Sequence, residues 1–416
     1  MTIEEMGVRA KAAEAELAAS GSSVKNTALQ YMARELDSAR DEILAANAED
    51  IASARAEGMS EAMLDRLTLT DKRLDGMSEG LRSVALLEDP VGRIDSGWVR
   101  PNGLRILKMR VPLGVIGIIF EARPNVVSDA AGLCLKSGNA CILRGGKEAL
   151  CTNIAAASAL RRGVSAAGLN EDCVQMVSDP SHDTARAMMR LRGYIDVLIP
   201  RGGARLIGSV IENASVPVIE TGTGNCHVYI DSEADLRMGA DIIFNAKTSR
   251  PSVCNAAETL LVHRAVAKEF LPIAKALLDT KHVELRADDE TRSILGEDIK
   301  KATEADWATE YNDYILAVKV VASLDEAIAH INRYGTGHSE AIVTGSEANG
   351  EKFLRLVDAA AVYLNASTRF TDGNEFGFGA EIGISNQKLH ARGPMGLREL
   401  TTIKYQIYGS GQTRQA

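Results

Sequence analysis

The sequence predicts an α/β protein of two successive α/β units, and three observations carry that expectation. Between residues 113 and 220, short apolar runs alternate with amphipathic helical stretches, the pattern of a parallel sheet with helices on both faces. From about Gly224 the same alternation begins again. At 416 residues the chain is also too long for one typical domain. The composition, 45% hydrophobic and 25% charged, is that of a folded globular protein, and with aromatics at 4% the cores are expected to be aliphatic.

Residues 1–89 are rich in Ala, Glu and Arg, and Leu29, Met32, Leu36, Ile43 and Leu44 recur at helical spacing. Several helices are expected, broken near Ser20-Gly21-Ser22 and Gly58-Met59-Ser60, with Ser60 placed to cap the next one. This layer carries no visible chemistry. At 97–111, Trp98-Val99-Arg100 and Leu104-Arg105-Ile106-Leu107 flank Pro101-Asn102-Gly103, and Asn-Gly between alternating residues predicts a hairpin. Its exposed edges invite pairing with the last strand, near 402–408, of a neighbouring subunit. A surface hairpin without a partner fits the residues equally well.

Strands are predicted at 115–120, 140–143, 174–177, 195–199 and 216–219, with helices near 128–136, 151–167, 181–192 and 203–213. Ligands of parallel sheets bind beyond the carboxyl ends of the strands, which singles out loops 121–127, 144–149, 200–203 and 221–225. A G-x-G-x-x-G fingerprint is absent. Pro200-Arg201-Gly202-Gly203 opens a helix directly after a strand, where bare N–H groups could accept a phosphate. A tight strand-to-helix turn would use the same residues.

In the second unit a helix over 240–246 leads into the polar stretch 247–255, followed by strands at 259–262 and 314–321, a helix at 266–278, and a strand running into a polar loop over 361–370. Ser323-Leu324-Asp325-Glu326 has the spacing of a capping box. Residues 401–408 alternate like an edge strand, and the tail from Gly409 is expected to be disordered. Cys254 lies at the junction of helix and strand, close in sequence to Lys247 and Arg250, and a neighbouring cation favours thiolate over thiol. An isolated cysteine is more often a small buried hydrophobe.

Six cysteines without a CxxC pair suggest neither a metal site nor a redox pair. The net charge of −9 argues against nucleic-acid binding. The acidic start Met1-Thr2-Ile3-Glu4-Glu5 is not followed by an apolar run, and the longest such run, 111–120, is half the roughly 20 residues of a membrane helix. No secretory signal or membrane span is therefore expected, and the chain is placed in the cytoplasm with reduced thiols.

Four segments, in this order, resemble the aldehyde dehydrogenase superfamily: Val111-Pro112-Leu113-Gly114-Val115-Ile116-Gly117, Cys141-Ile142-Leu143-Arg144-Gly145-Gly146-Lys147-Glu148, Glu220-Thr221-Gly222 and the Cys254 loop. Phe120-Glu121-Ala122-Arg123-Pro124-Asn125-Val126, Arg250-Pro251-Ser252-Val253-Cys254-Asn255-Ala256-Ala257-Glu258, Asn365-Ala366-Ser367-Thr368-Arg369-Phe370 and His390-Ala391-Arg392-Gly393-Pro394 are similar to its γ-glutamyl phosphate-reducing branch. The resemblance covers essentially the whole chain. It implies an aldehyde dehydrogenase-like fold with two Rossmann-like α/β domains plus a small β oligomerisation element. The cofactor-binding domain would span 1–96 and 112–223, the catalytic domain 224–398, and the element 97–111 and 399–416. A homodimer or homotetramer is implied.

The reaction implied by the resemblance is reduction of L-glutamate 5-phosphate by NADPH to L-glutamate 5-semialdehyde and phosphate, the second step of proline biosynthesis. It would run through a thioester on Cys254. Glutamate 5-kinase, the source of the substrate, is a candidate partner. Asn125 and the Cys254 N–H are the candidate oxyanion donors. The superfamily's asparagine falls at Arg123 in the simplest register, so Asn125 departs from it by two residues. Arg123 is a candidate for the phosphate, and Asn365, Ser367 and Arg369 for the amino-acid end. Asn365 could equally cap a strand end, and Arg369 could pair with Asp372.

On the cofactor side the resemblance marks Arg144, Gly145, Lys147, Arg201, Gly202, Gly203 and Glu220. Lys147 stands where NAD-using members place the ribose-binding glutamate, which implies NADP(H). A register shift of one residue would put Glu148 there instead, and a surface pair with Glu148 is a third possibility for Lys147. Glu220 sits where oxidative members keep their water-activating glutamate, a base that acyl-phosphate reduction does not need, so a structural or minor role is implied for it. The segment 390–393 resembles a family signature for which the sequence offers no physical role.

Overall fold

The apolar stripes of the first 89 residues form five helices, Ile3–Ala18, Ser22–Ser38, Arg40–Ala56, Glu61–Leu67 and Asp71–Leu86, in a computed structural model that describes residues 1–414. Thr2 and Glu5 cap the first reciprocally, each side chain accepting from the other's backbone N–H. Ser60 does stand at an N-cap, yet its hydroxyl makes no capping bond. Leu29, Met32, Ala33 and Leu36 of the second helix are fully buried.

Two units make up the chain: Met1–Glu220 with Gly377–Gly383 and the residues from Met395, and Thr221–Phe376 with Ile384–Pro394. The division falls three residues before the expected one, and 377–383 and 395–398 lie with the first unit rather than the second. In the first unit a parallel sheet runs in the order Val174–Met176, Ala140–Arg144, Val115–Phe120, Val197–Arg201. All six residues of Val115–Phe120 are buried, as suits a strand covered on both faces. Each large aliphatic there contributes roughly 1.5–3 kcal/mol. The strand expected at 216–219 does not form. Pro217 lacks a donor, and the segment is held to Leu198 by one bridge from Val218.

The hairpin Ile94–Val99/Arg105–Pro112 turns at Gly103, whose φ of 87° excludes most side chains. Its second strand pairs antiparallel with Thr401–Tyr408 of the same chain, from Pro112↔Thr401 to Arg105↔Tyr408. This corrects the expectation that a neighbouring subunit supplies that strand: the chain's own end satisfies the free edge. The tail is also more ordered than expected, because Gln412 donates to the Asn102 carbonyl at 3.0 Å. Residues 415–416 lie outside the described residues.

The second unit contains a seven-stranded, wholly parallel sheet, ordered Lys300–Lys301, Glu284–Ala287, Ile315–Val321, Ala257–His263, Cys226–Ile230, Ser339–Val343, Ala361–Leu364. Val228, Leu260, Val262, Val318 and Phe270 build its core. Helix Leu236–Thr248, capped by the Asp235 carboxylate, delivers the chain to Cys254. Among the described residues no helix is long and apolar enough to cross a membrane.

Candidate active site

In the second unit, Cys254 sits half-buried in the turn between helix Leu236–Thr248 and strand Ala257–His263, where the Ala256 N–H donates to the Val253 carbonyl at 3.0 Å. Lys247 does not present its charge as expected. It is fully buried and its ammonium meets the Glu258 carboxylate at 2.6 Å. Burial pushes the Glu258 carboxyl up to about 7 despite that partner. Desolvation likewise holds the Lys247 ammonium below its ordinary value. The pair is a sealed strut under the loop, so its two charges largely cancel. Arg369 lies within electrostatic range of the cysteine, its pKa lowered by burial and by Arg250 and raised by Cys254.

Arg369 donates from Nε to Ser249 Oγ at 2.9 Å and from Nη1 to Asn255 Oδ1, and meets Asp372 only through longer-range charge. Ser367 is buried and accepts the Arg369 N–H at 3.3 Å, capping the short turn Thr368–Phe370. Asn365 stands apart from this group. With φ of 57° at the end of strand Ala361–Leu364, its amide accepts from Thr344 N and donates to Thr344 O, both at 2.9 Å, which is the strand-end cap. Sequence reasoning missed Asn255. Its amide donates to the carbonyls of Arg369 and Thr371 at 3.3 and 3.0 Å, and its own carbonyl accepts from Thr368 Oγ1 at 2.7 Å. Its place directly after the cysteine was the available signal. Arg392 gains a role here: it pairs with Asp358 at 2.8 Å, beside Lys388, and so anchors the loop that the signature 390–393 closes.

In the first unit, Asn125 opens helix Asn125–Lys136, three residues before the expected start, and its amide donates to Asp129 at 2.8 Å. Asp129 is only half-buried by exposure, yet desolvation pushes its carboxyl to about 6, against the Asn125 bond and the nearby Arg201. Arg123 is exposed. Arg144 turns to the Pro180 carbonyl at 2.6 Å and keeps a buried Nε without a partner. Lys147 is exposed and pairs with Glu57 at 2.8 Å rather than with Glu148. The Glu148 carboxylate folds back to accept the Ala122 N–H at 2.9 Å. A Cβ on Gly145 would lie 2.2 Å from the Asn153 amide, so only glycine fits there.

Of the two readings of Gly202-Gly203, the tight strand-to-helix turn is the one seen: the glycines join strand Val197–Arg201 to helix Ala204–Asn213. The Gly203 N–H already donates to the Glu121 carboxylate at 3.0 Å, and a Cβ on Gly202 would strike that carboxylate at 2.7 Å. An anion is thus present at the start of helix Ala204–Asn213, supplied by the chain. Glu220, half-buried, ends the first long segment of this unit.

A model of the aldehyde dehydrogenase family matches residues 2–303. Gamma-glutamyl phosphate reductase of Clostridium beijerinckii is 59% identical over 408 residues, 98% of each chain. That of Moorella thermoacetica is 58% identical over 415 residues, 100% of this chain and 99% of its own. The crystal structure of gamma-glutamyl phosphate reductase from Thermotoga maritima, 50% identical, superposes with a TM-score of 0.97 over 99% of both chains. An acetylating aldehyde dehydrogenase from Geobacillus thermoglucosidasius shares the fold at 18% identity, with a TM-score of 0.70 over 99% of this chain and 97% of its own. The chain belongs to the aldehyde dehydrogenase family and, within it, to the gamma-glutamyl phosphate reductases.

Proposed function

We propose that the protein reduces L-glutamate 5-phosphate to L-glutamate 5-semialdehyde and inorganic phosphate, with NADPH as reductant, in the cytoplasmic synthesis of proline. The observation that carries this reading is the Cys254 turn, tied through Asn255 to Arg369 in a chain 59% identical to reductases of that name. The Cys254 thiolate attacks the acyl carbonyl, the carbon–oxygen bond to phosphorus breaks, and phosphate departs with the electron pair, leaving a thioester. Arg369, already fixed to Ser249 and Asn255, offers its remaining N–H groups to the substrate α-carboxylate. When bound, NADPH supplies the hydride that reduces the thioester carbonyl. Thiolate is then expelled and the aldehyde released.

The fit of the cofactor is tested by the loop after strand Ala140–Arg144. Arg144, with an unpartnered buried Nε, and exposed Lys147 are the residues that would hold a ribose 2′-phosphate, while Glu148 is committed to Ala122. Exposed Trp98, Val99, Tyr405, Ile407 and Tyr408 on the three-stranded sheet support a homodimer or homotetramer. Running the reaction backwards tests the function: semialdehyde, phosphate and NADP with the purified protein give cofactor reduction that depends on phosphate. Equal rates without phosphate would remove the acyl-phosphate assignment.

A further inference from the structure

The loop that carries Cys254 rests on a floor whose parts are not explained by fold alone. Strand Cys226–Ile230 runs beside strand Ala257–His263, and the chain entering it passes directly beneath the cysteine. Gly224 and Cys254 touch backbone to backbone, since a Cβ built on Gly224 would fall 1.4 Å from the Cys254 carbonyl oxygen. Gly224 is itself held, its N–H donating to Glu310 at 2.7 Å. Asn225, next in line, donates from its amide to the carbonyls of Trp307 and Tyr334, each at 2.8 Å, and from its backbone to Thr336 Oγ1 at 3.1 Å. The floor therefore cannot give way under the loop.

Cys226 completes it. Its fully buried thiol donates to the Cys254 carbonyl oxygen at 3.2 Å, with His338 Nδ1 on its other side at 3.8 Å. That carbonyl belongs to the peptide joining Cys254 to Asn255, and a trans peptide is rigid. One residue on, the Asn255 side-chain amide donates to the carbonyls of Arg369 and Thr371 and anchors the residue that follows this peptide. Holding the carbonyl and the residue after it restrains the ψ of Cys254, and with it the direction in which its side chain leaves the backbone. Burial pushes the Cys226 thiol well above its ordinary range, as do the nearby charges of Glu340, Cys254 and Glu258, so it stays protonated and remains a donor.

We propose that Cys226 is a positioning residue for the nucleophile: its thiol clamps the Cys254 carbonyl and so aims the Cys254 sulfur. The inference rests on the reading of Cys254 as nucleophile, yet one of its two tests needs neither substrate nor cofactor. The rate at which iodoacetamide modifies Cys254 is followed by mass spectrometry of its peptide in wild type, Cys226→Ala and Cys226→Ser. Alanine removes the donor and serine keeps it. In Cys226→Ala the modification slows by about tenfold, the change that matches loss of one hydrogen bond. Serine restores it to within about threefold, a residual that the shorter side chain explains. In the semialdehyde assay, kcat of Cys226→Ala falls while KM holds. A wild-type modification rate in Cys226→Ala, or equal loss in the alanine and serine variants, overturns the clamp. If modification follows the expected order while no variant, wild type included, shows phosphate-dependent activity, the substrate assignment fails and the clamp stands.

Discussion

The two loop regions that carry the family's chemistry are built on opposite plans. The Cys254 turn of the second unit is cross-braced from several directions. Asn255 bonds the 367–371 segment, Arg369 returns to Ser249, Lys247 and Glu258 form a dry ion pair below, and Cys226 and Gly224 press from beneath. The first unit's loops are tied by single contacts, Glu148 to the Ala122 N–H and Glu121 to the Gly203 N–H, and Lys147 meets Glu57 with both side chains about two-thirds exposed. The difference follows from what each must do. A nucleophile must be held within a fraction of an ångström of its attack line. A cation that recruits a phosphate loses little by waiting solvated, and stays cheap to reorient.

The largest break in this comparison is Cys254→Ala. Turnover is expected to vanish while circular dichroism and cofactor binding stay intact, because the braces from Cys226, Arg369 and Thr371 attach to the Cys254 carbonyl and to Asn255. Activity above contamination level in that variant would remove the covalent route. Next comes the buried strut. Glu258→Gln leaves the Lys247 ammonium without its counter-charge and is expected to lower stability by about 3–5 kcal/mol in urea unfolding. Lys247→Met combined with Glu258→Leu should recover most of that loss, whereas Glu57→Gln, which strips the exposed partner of Lys147, should leave the midpoint where it was. A double variant as unstable as the single one would show that the braces depend on charge rather than on packing.

The smallest effect belongs to Lys147. The preference for NADPH over NADH in kcat/KM is expected to drop by about tenfold in Lys147→Glu, since a carboxylate would repel the 2′-phosphate that an ammonium attracts. An unchanged ratio would take Lys147 out of cofactor choice and leave Arg144, with its unpartnered Nε, as the residue to test.

Much of the frame was legible from spacing. Val115–Phe120 and Thr401–Tyr408 form where uniform apolarity and strict alternation place them. Strands Cys226–Ile230 and Ser339–Val343 were not read, because their polar residues satisfy one another inside the sheet: the His227 ring nitrogen meets Glu340 at 2.9 Å. Periodicity treats such residues as solvent-facing. The site was legible as a set of residue types and only partly as a set of contacts. Closeness in sequence suggested Lys247 as the cation for Cys254, but helix geometry turns it inward to Glu258, and Arg369, more than a hundred residues away, comes within range instead. Glu121 left no trace of its destination, since the pairing of a strand-end carboxylate with a distant helix start depends on strand order alone.

That carboxylate has a consequence for any phosphate arriving at helix Ala204–Asn213. The positive end of the helix carries a tethered placeholder at Gly203, so binding there is an exchange of one anion for another rather than the filling of a bare site. Stray phosphate or sulfate gains little from such an exchange. A ligand with further contacts elsewhere can evict the carboxylate and release it, on the strand Val115–Phe120 side, as a mobile negative charge. An anion that lacks such further contacts therefore competes at that turn with a carboxylate tethered by the chain itself.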